Sequence, residues 1–334
     1  MSASSTTDVG GLVLSRPASK LRVWWPGVVA SLAWAATAWV TAELEDLGDW
    51  ERTGMLVWIF AVVAGGALLA TLAYGVFGRL PQRVQRKGPW LVALALFFGV
   101  WELFAAKLGI LPQPFFPPPQ ALLEVFTDDY AKLGISVLYS MKLYASGYVL
   151  GGLIGFATGV SVGWSRAVGY WVHPLLRFVG PLPATAWLPI AFFAFPTSGS
   201  ASVFLVGLAT FFPTTILTWS GVAAVPPAYY DVARTLGASR RFQIFKVAIP
   251  AAMPHVFVGL FMGLGSSFAV LVVAEMLGVK AGLGWYLQWA QGWAAYANMY
   301  SALLVMSLLC SGMITLLFSV RDRLLGWQKG LVKW

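Results

Sequence analysis

Few side chains in this sequence could carry catalytic or metal chemistry. The 334 residues include one cysteine, Cys310, and two histidines, His173 and His255. A single thiol excludes a disulfide framework and a thiolate metal cluster, and neither histidine has a nearby Ser/Asp or His/Glu set at catalytic or ligand spacing. The chain contains no G-x-x-x-x-G-K-[ST] phosphate loop, so it cannot hydrolyse ATP alone. We expect no catalytic residue, no metal site and no cofactor in this chain.

Two carboxylates lie inside strongly apolar stretches, Glu102 and Glu275. A carboxylate at membrane depth is costly unless it pairs, takes up a proton or faces a cavity. For Glu102 we expect a structural hydrogen bond or ion pair, because Lys107 follows five residues later. For Glu275, a structural partner and a place in the wall of a translocation path both remain open.

The elements that position these residues must be membrane helices. Hydrophobic residues make up 59% of the chain and charged residues 10%, against about 25% charged in soluble domains. A soluble protein of this length could not cover its surface with so few polar residues. The composition therefore predicts an all-α polytopic membrane protein, with eight stretches that reach the length of about 20 residues needed to span a bilayer. These stretches are 24–42, 55–77, 90–110, 141–163, 171–195, 202–224, 255–275 and 299–320, and prolines interrupt the fifth.

The basic residues indicate the orientation of the eight stretches. Most of the 22 lysines and arginines fall on the tails and loops of one side, whereas the loop after the first stretch carries an excess of acid. Since the lysine and arginine count decides orientation, both termini are expected in the cytoplasm. The net charge of +9 indicates contact with an anionic leaflet and not a nucleic-acid partner.

The sequence predicts four parts. They are a cytoplasmic polar tail at 1–22, an appended two-helix transmembrane hairpin at 23–87, a six-span core at 88–325 and a cytoplasmic tail at 326–334. Within the core, the glycines at 147, 151, 155, 159 and 163 form one stripe on a helix, which predicts close packing against a neighbouring helix.

Residues 226–250, which we call the connector, form the most informative segment. Pro226 and Pro227 suit the start of a helix, and Gly237 suits the position just past its end. Ser239 can cap a second short helix through residue 248, which Pro250 is expected to stop. Two short helices joined by a glycine elbow are too short and too polar to span the membrane. They indicate an ordered segment that projects from the membrane and is bound by a partner.

The connector resembles the EAA–three residues–G–nine residues–I–x–L–P signature of ABC importer permeases. It matches at 231–233, at Gly237 and at 247–250, with Asp231 for the usual Glu, Val232 for the first Ala, Val247 for Ile and Ile249 for Leu. Three further segments resemble the permeases of the nitrate/sulfonate/taurine/bicarbonate group. They are 183–189, 233–239, and 274–276 followed by 282–284. The resemblance covers about residues 90–325 and implies a type I ABC importer permease fold, with the first 87 residues as an addition of unknown role.

The resemblance also implies a location in the inner membrane of a bacterium, a function and a set of partners. The chain would be a non-catalytic permease that forms the path for a small anion such as nitrate, a sulfonate, taurine or bicarbonate. Its implied partners are a cytoplasmic ATPase dimer that binds ATP and Mg²⁺, a second permease copy in a homodimer, and a periplasmic or lipid-anchored substrate-binding protein. The residues expected to contact the ATPase are Asp231, Val232, Ala233, Arg234, Gly237, Ala238 and Ser239.

An anion path should avoid fixed negative charge at its narrowest point and use hydroxyls, dipoles and helix ends. The residues that meet this description are Thr185, Trp187, Thr197, Ser198 and Ser200. Glu275 is added to the candidate path, where we expect it to be paired, to face away from the path or to act in gating. An ordinary role in turns and packing is the alternative for the first five.

Two other functions compete with the permease interpretation. An intramembrane enzyme would need a paired nucleophile and base or a metal cluster at membrane depth, which the residues do not offer. An ion-coupled secondary carrier is disfavoured by the absence of an internal sequence repeat and by the scarcity of intramembrane charge.

Overall fold

The computed structural model describes residues 23–77 and 81–328, and this part of the chain is helical without a β-strand. The predicted all-α membrane fold is thereby confirmed. The first half contains α1 (Trp25–Glu43), α2 (Thr53–Phe77), α3 (Gln82–Gln85), α4 (Gly88–Glu102) with a π-helical turn at Leu103–Lys107, α5 (Pro119–Asp128), α6 (Tyr130–Trp164) and α7 (Arg166–Val179). A 3-10 turn at Ala184–Trp187 then leads into α8 (Leu188–Ala194) and α9 (Ser198–Ala223). The second half continues with α10 (Pro227–Thr235), α11 (Arg240–Phe242), a π-helical stretch at Gln243–Ala248, α12 (Ile249–Gly278), α13 (Leu283–Gly292), α14 (Tyr296–Leu324) and a 3-10 turn at Gly326–Gln328.

Each of the eight predicted spans overlaps helical structure, although the third runs past the helix end at Lys107 and the fifth is interrupted at 180–183. Within the described residues, six helices are long and apolar enough to cross a membrane, and a bent pair would make seven. The bent pair is the proline-rich fifth stretch, in which the chain turns by 88° between Arg166–Val179 and Ala184–Ala194. The helix at the first predicted span, α1, has 19 residues and is not among the six.

The described residues form two compact units, one before Glu124 and one from Glu124 onward. In the first unit, α4 packs with the hairpin α1–α2 around Trp34, Phe60 and Ala95. The Trp34 indole donates to the Leu91 carbonyl oxygen over 3.0 Å, which ties α1 to α4. The third span therefore packs with the hairpin, although the division of the chain into an appended hairpin and a permease core at residue 87 stays a prediction.

In the second unit, α9 lies between α6 and α12. The predicted glycine stripe on α6 faces the backbone of α9. An added Cβ at Gly147 would lie 2.7 Å from the Val203 carbonyl oxygen, and one at Gly155 would lie 2.8 Å from that of Phe211. The stripe is thus a packing surface, as predicted, because only glycine lets the two backbones approach this closely.

Candidate functional site

The first half of the connector is a short helix with a rigid end. Pro227 occupies the first turn of α10, where its missing N–H costs nothing. Gly237 follows the helix in the left-handed region, with φ +77°. The Gly237 N–H donates to Arg234 O and the Ala238 N–H to Ala233 O, each over 2.9 Å. These two bonds form a Schellman motif, so the predicted glycine elbow is confirmed.

The second half of the connector differs from the prediction. Ser239 does cap the next helix, since its Oγ accepts from Phe242 N–H over 3.3 Å. However, Pro250 does not stop that helix, because the chain is helical from Arg240 to Gly278. Proline normally breaks a helix because it lacks an N–H and clashes with the carbonyl four residues back. Here the stretch Gln243–Ala248 is π-helical, and its wider turns lead into α12 with Pro250 in the first turn. The expectation of a separate second helix was therefore wrong.

The connector presents a mixed surface outward. Asp231 and Arg234 form an ion pair over 3.2 Å, and both side chains are 65% exposed. Val232 and Leu236 are also exposed, Leu236 by 82%, although both are apolar. Ala233 is buried, so it marks the face of α10 that packs on the rest of the chain.

Neighbouring residues hold α10 in place and extend its surface. The Tyr230 ring packs edge-to-face on Trp164 at 5.6 Å, and burial raises the pKa of Tyr230. Beside α10 lies a cavity of about 680 Å³, the connector groove, whose wall includes Tyr229, Phe242 and Trp327. The sequence analysis missed all three aromatic residues. Tyr229 and Phe242 stand in the connector, where aromatic side chains were a readable signal, whereas Trp327 lies far from it in the sequence. Ala238 and Ser239 lie in the elbow, where the Gln243 amide donates to Ala238 O over 3.1 Å.

A second cavity lies where the chain bends between α7 and α8. This bend cavity, of about 410 Å³, is lined by Thr185 from the bend, by Phe212 from α9 and by Met262 and Ser266 from α12, among others. Thr185 is the one predicted path residue in its wall. Trp187 packs instead against the buried cluster around Leu188 and Leu205.

The predicted residues Thr197, Ser198 and Ser200 form the start of α9. The Thr197 Oγ1 accepts from Ser200 N–H over 3.1 Å, and the Ser200 Oγ accepts from Thr197 N–H over 3.3 Å, which is a capping box. Ser198 O accepts from Ser202 Oγ over 2.9 Å. None of the three lines the bend cavity.

Glu275 is fully buried near the end of α12. Its carboxylate lies 2.7 and 2.8 Å from Ser140 Oγ on α6 and accepts from Gly284 N–H over 2.9 Å. The Ser140 Oγ in turn accepts from Leu283 N–H over 2.8 Å. Gly282 has φ +114°, and a Cβ there would meet the carboxylate. Glu275 therefore has structural partners, and Ser140 is the partner that the sequence analysis missed.

The connector and the bend cavity suit a mechanical role more than a chemical one. The connector offers exposed apolar and charged side chains on a rigid elbow, and its two ends continue into α9 and α12. Both of these helices line the bend cavity. The connector is therefore continuous in the chain with both of the long helices that contribute to the wall of this cavity.

Comparisons with known proteins show the family to which the sequence is similar. The family described as binding-protein-dependent transport system inner membrane component matches residues 147–328. The bicarbonate transport system permease protein CmpB of Synechococcus elongatus is 32% identical over 256 residues, which cover 71% of this chain and 86% of that protein. The nitrate import permease protein NrtB of the same species is 29% identical, with 73% and 89% covered. A probable ABC transporter permease protein of Brucella abortus is 29% identical, with 74% and 98% covered.

Proposed function

Because the chain belongs to the family of binding-protein-dependent transport system inner membrane components, we propose that it couples ATP hydrolysis by a partner to the import of a small anion. It is a permease of an ABC importer, and the proposal concerns what it couples to and what it carries. The main support for the proposal is the position of the connector. Its exposed side chains and rigid elbow lie between the two helices that line the bend cavity.

In this proposal the connector docks on a cytoplasmic ATPase subunit. Asp231, Val232 and Arg234 are exposed and supply the contact, whereas Ala233 anchors α10 to the chain. Gly237, Ala238 and Ser239 form the elbow that keeps α10 at a set angle. ATP and Mg²⁺ would be bound by the ATPase dimer, and closure of that dimer would push α10 and with it the ends of α9 and α12.

The transported solute is proposed to be a small anion. Two of the relatives are named for nitrate and for bicarbonate, and no acidic residue lines the bend cavity among the described residues. The Thr185 hydroxyl can donate a hydrogen bond to an anion there without a fixed charge. Trp187, Thr197, Ser198, Ser200 and Glu275 stay predicted members of the path, with structural contacts already described.

The remaining partners and the orientation belong to the same proposal. A second copy of the permease would complete the path as a homodimer, and a periplasmic or lipid-anchored binding protein would deliver the anion. Both termini and the connector would be cytoplasmic, because basic residues are concentrated on that side. In a Cys310→Ala background, a cysteine at exposed Asp49 should then react with an impermeant label in intact cells, and one at Arg240 only after lysis.

The central experiment is reconstitution with the ATPase and the binding protein. We expect the permease to co-purify with the ATPase, and ATP hydrolysis to rise when the loaded binding protein is added. Uptake should then depend on ATP and compete with nitrate or bicarbonate. Uptake that persists without ATP and collapses with the ion gradient would overturn the coupling proposal. Uptake of uncharged or cationic solutes alone would overturn the anion proposal and leave the coupling intact.

A further inference from the structure

The end of the third predicted span holds a buried polar cluster that the proposed transport function does not use. It consists of Asp46 after α1, Glu102 and Lys107 around the π-helical turn, and Gln120 in the first turn of α5. Glu102 and Gln120 are fully buried, and Lys107 is 8% exposed. All four residues lie in the first compact unit. Such a cluster is costly unless every charge and every polar atom is satisfied.

The lysine in this cluster has no hydrogen left for Glu102. Its Nζ donates to Thr41 O over 2.9 Å, to Leu44 O over 2.5 Å and to Asp46 Oδ1 over 2.8 Å. An ammonium group carries three N–H donors, and these three acceptors use them all. The Glu102 Oε1 lies farther away, at 3.9 Å. Lys107 and Asp46 therefore balance each other, and Glu102 needs another partner.

That partner is Gln120, but the pair is incomplete without one more hydrogen. The Gln120 Nε2 lies 3.2 Å from Glu102 Oε1 and donates to it. The two other oxygens of the pair, Glu102 Oε2 and Gln120 Oε1, are buried and have no hydrogen-bond partner. Both atoms are acceptors when Glu102 is ionised, so neither can satisfy the other. A buried acceptor without a donor costs about 1–3 kcal/mol.

We propose that Glu102 is a proton-binding site. One proton on Glu102 Oε2 converts that atom into a donor toward Gln120 Oε1, and both unsatisfied atoms gain their partner at once. The carboxylic acid and the amide then form two parallel hydrogen bonds that join the end of α4 to the first turn of α5. The charged groups facing Glu102 are Lys107 and Asp46, and with a neutral Glu102 the cluster has no net charge.

A monovalent cation is the other ligand that two carbonyl-type oxygens could hold. The Lys107 ammonium, 3.9 Å from the same carboxyl group, disfavours it by like-charge repulsion. A proton also needs no space beyond the hydrogen bond itself, which suits a fully buried pair. The geometry therefore favours the proton.

Infrared difference spectroscopy of the purified full-length protein tests the proposal directly. At neutral pH we expect the C=O band of a protonated carboxyl group, which disappears in Glu102→Gln. The same band should shift in Gln120→Leu, because the acid then loses its amide partner. Glu275→Gln serves as the control, since it removes the other buried carboxyl and should leave the Glu102 band in place.

Thermal stability against pH provides the second measurement. Wild-type stability should fall as the pH rises and Glu102 ionises, because the ionised pair lacks a donor, whereas Glu102→Gln keeps two amide hydrogen bonds and should be less sensitive to pH. Asp46→Asn should lower stability at neutral pH and retain the band. A neutral-pH spectrum without a band that depends on Glu102 would overturn the proposal. A sodium-dependent rise in stability that Glu102→Gln abolishes would also overturn it, in favour of a bound cation.

Discussion

The α6–α9 helix pair and the connector use small residues and apolar residues in opposite ways. Along α6, glycines bring two backbones together, and the residues of α9 that meet them are largely buried. In the connector, Gly237 serves an elbow with no atom within 4 Å of an added Cβ, and apolar Val232 and Leu236 remain exposed. The α6–α9 pair buries its apolar surface within the chain, whereas the connector keeps apolar side chains exposed, and in the proposed function these side chains contact the ATPase.

This difference predicts two classes of variant. Changes in the helix pair should act on folding, because the contacts they remove exist in the single chain. Changes in the connector should leave the protein folded in the membrane and act on coupling. The following predictions test that division. A connector variant that fails to fold, or a helix-pair variant that folds normally, would contradict it.

The largest effect is expected for Gly155→Leu in the stripe. An added Cβ lies 2.8 Å from the Phe211 carbonyl oxygen, a backbone atom that cannot rotate away. Overpacking of this kind costs about 1–3 kcal/mol or more, so we expect little folded protein in the membrane by fluorescence-detected size exclusion. Gly134→Leu is the matched control on the same helix, since nothing lies within 4 Å of its Cβ position. Equal yields from both variants would contradict the packing role of the stripe.

The second prediction concerns Leu236→Asp in the connector. This side chain is 82% exposed and borders the connector groove. If it enters a pocket of the ATPase, a buried charge there costs at least about 2 kcal/mol, or about 30-fold in affinity. Membrane abundance should match the wild type, whereas the amount of co-purified ATPase falls.

Leu236→Met is the conservative control for this position, because it retains the apolar volume and should retain the ATPase. Full co-purification with Leu236→Asp would show that Leu236 does not contact the partner, and the docking surface would have to be sought elsewhere.

The third prediction separates backbone strain from contact at Gly237. At φ +77° a β-branched residue is strained by about 1–2 kcal/mol, which corresponds to about tenfold in a coupling equilibrium. Because the space around Gly237 is open, the effect of Gly237→Val on uptake should come from the backbone alone. Gly237→Asn should keep most of the activity, since asparagine tolerates the left-handed region. Equal loss in both variants would point to a direct contact instead.

Local features of the sequence predicted the helices and the elbow well. The apolar stretches, the glycine stripe and the turn signals at Pro227 and Gly237 each act within a few residues of the chain. The prediction that Pro250 ends a helix was wrong because the effect of this proline depends on the π-helical stretch before it. No local sequence propensity indicates such a stretch. The same kind of turn follows Glu102 and brings Lys107, five residues later, within 3.9 Å of it.

Contacts between distant residues could not be predicted in the same way. The sequence shows the motif around Glu275 and Gly284, but the partner of Glu275, Ser140, lies 135 residues earlier on another helix. The same limit applies to the candidate path. Thr185 lines a cavity only because the chain bends by 88° and brings it against α9 and α12, whereas Thr197 and Ser200 bond to each other in a capping box.

The smallest effect is expected for the ion pair of Asp231 and Arg234. Both side chains are 65% exposed, and exposed pairs contribute about 0.2–1 kcal/mol, so Asp231→Asn should change the stability of the permease very little. The EAA signature that this segment resembles has glutamate at the position of Asp231, so Asp231→Glu should retain ATPase binding. A double-mutant cycle with Arg234→Gln, read out as ATPase affinity, should give a coupling of about twofold. A coupling above tenfold would mean that the pair becomes buried against the ATPase, and the charged residues of the connector would then rank with Leu236 as main contacts.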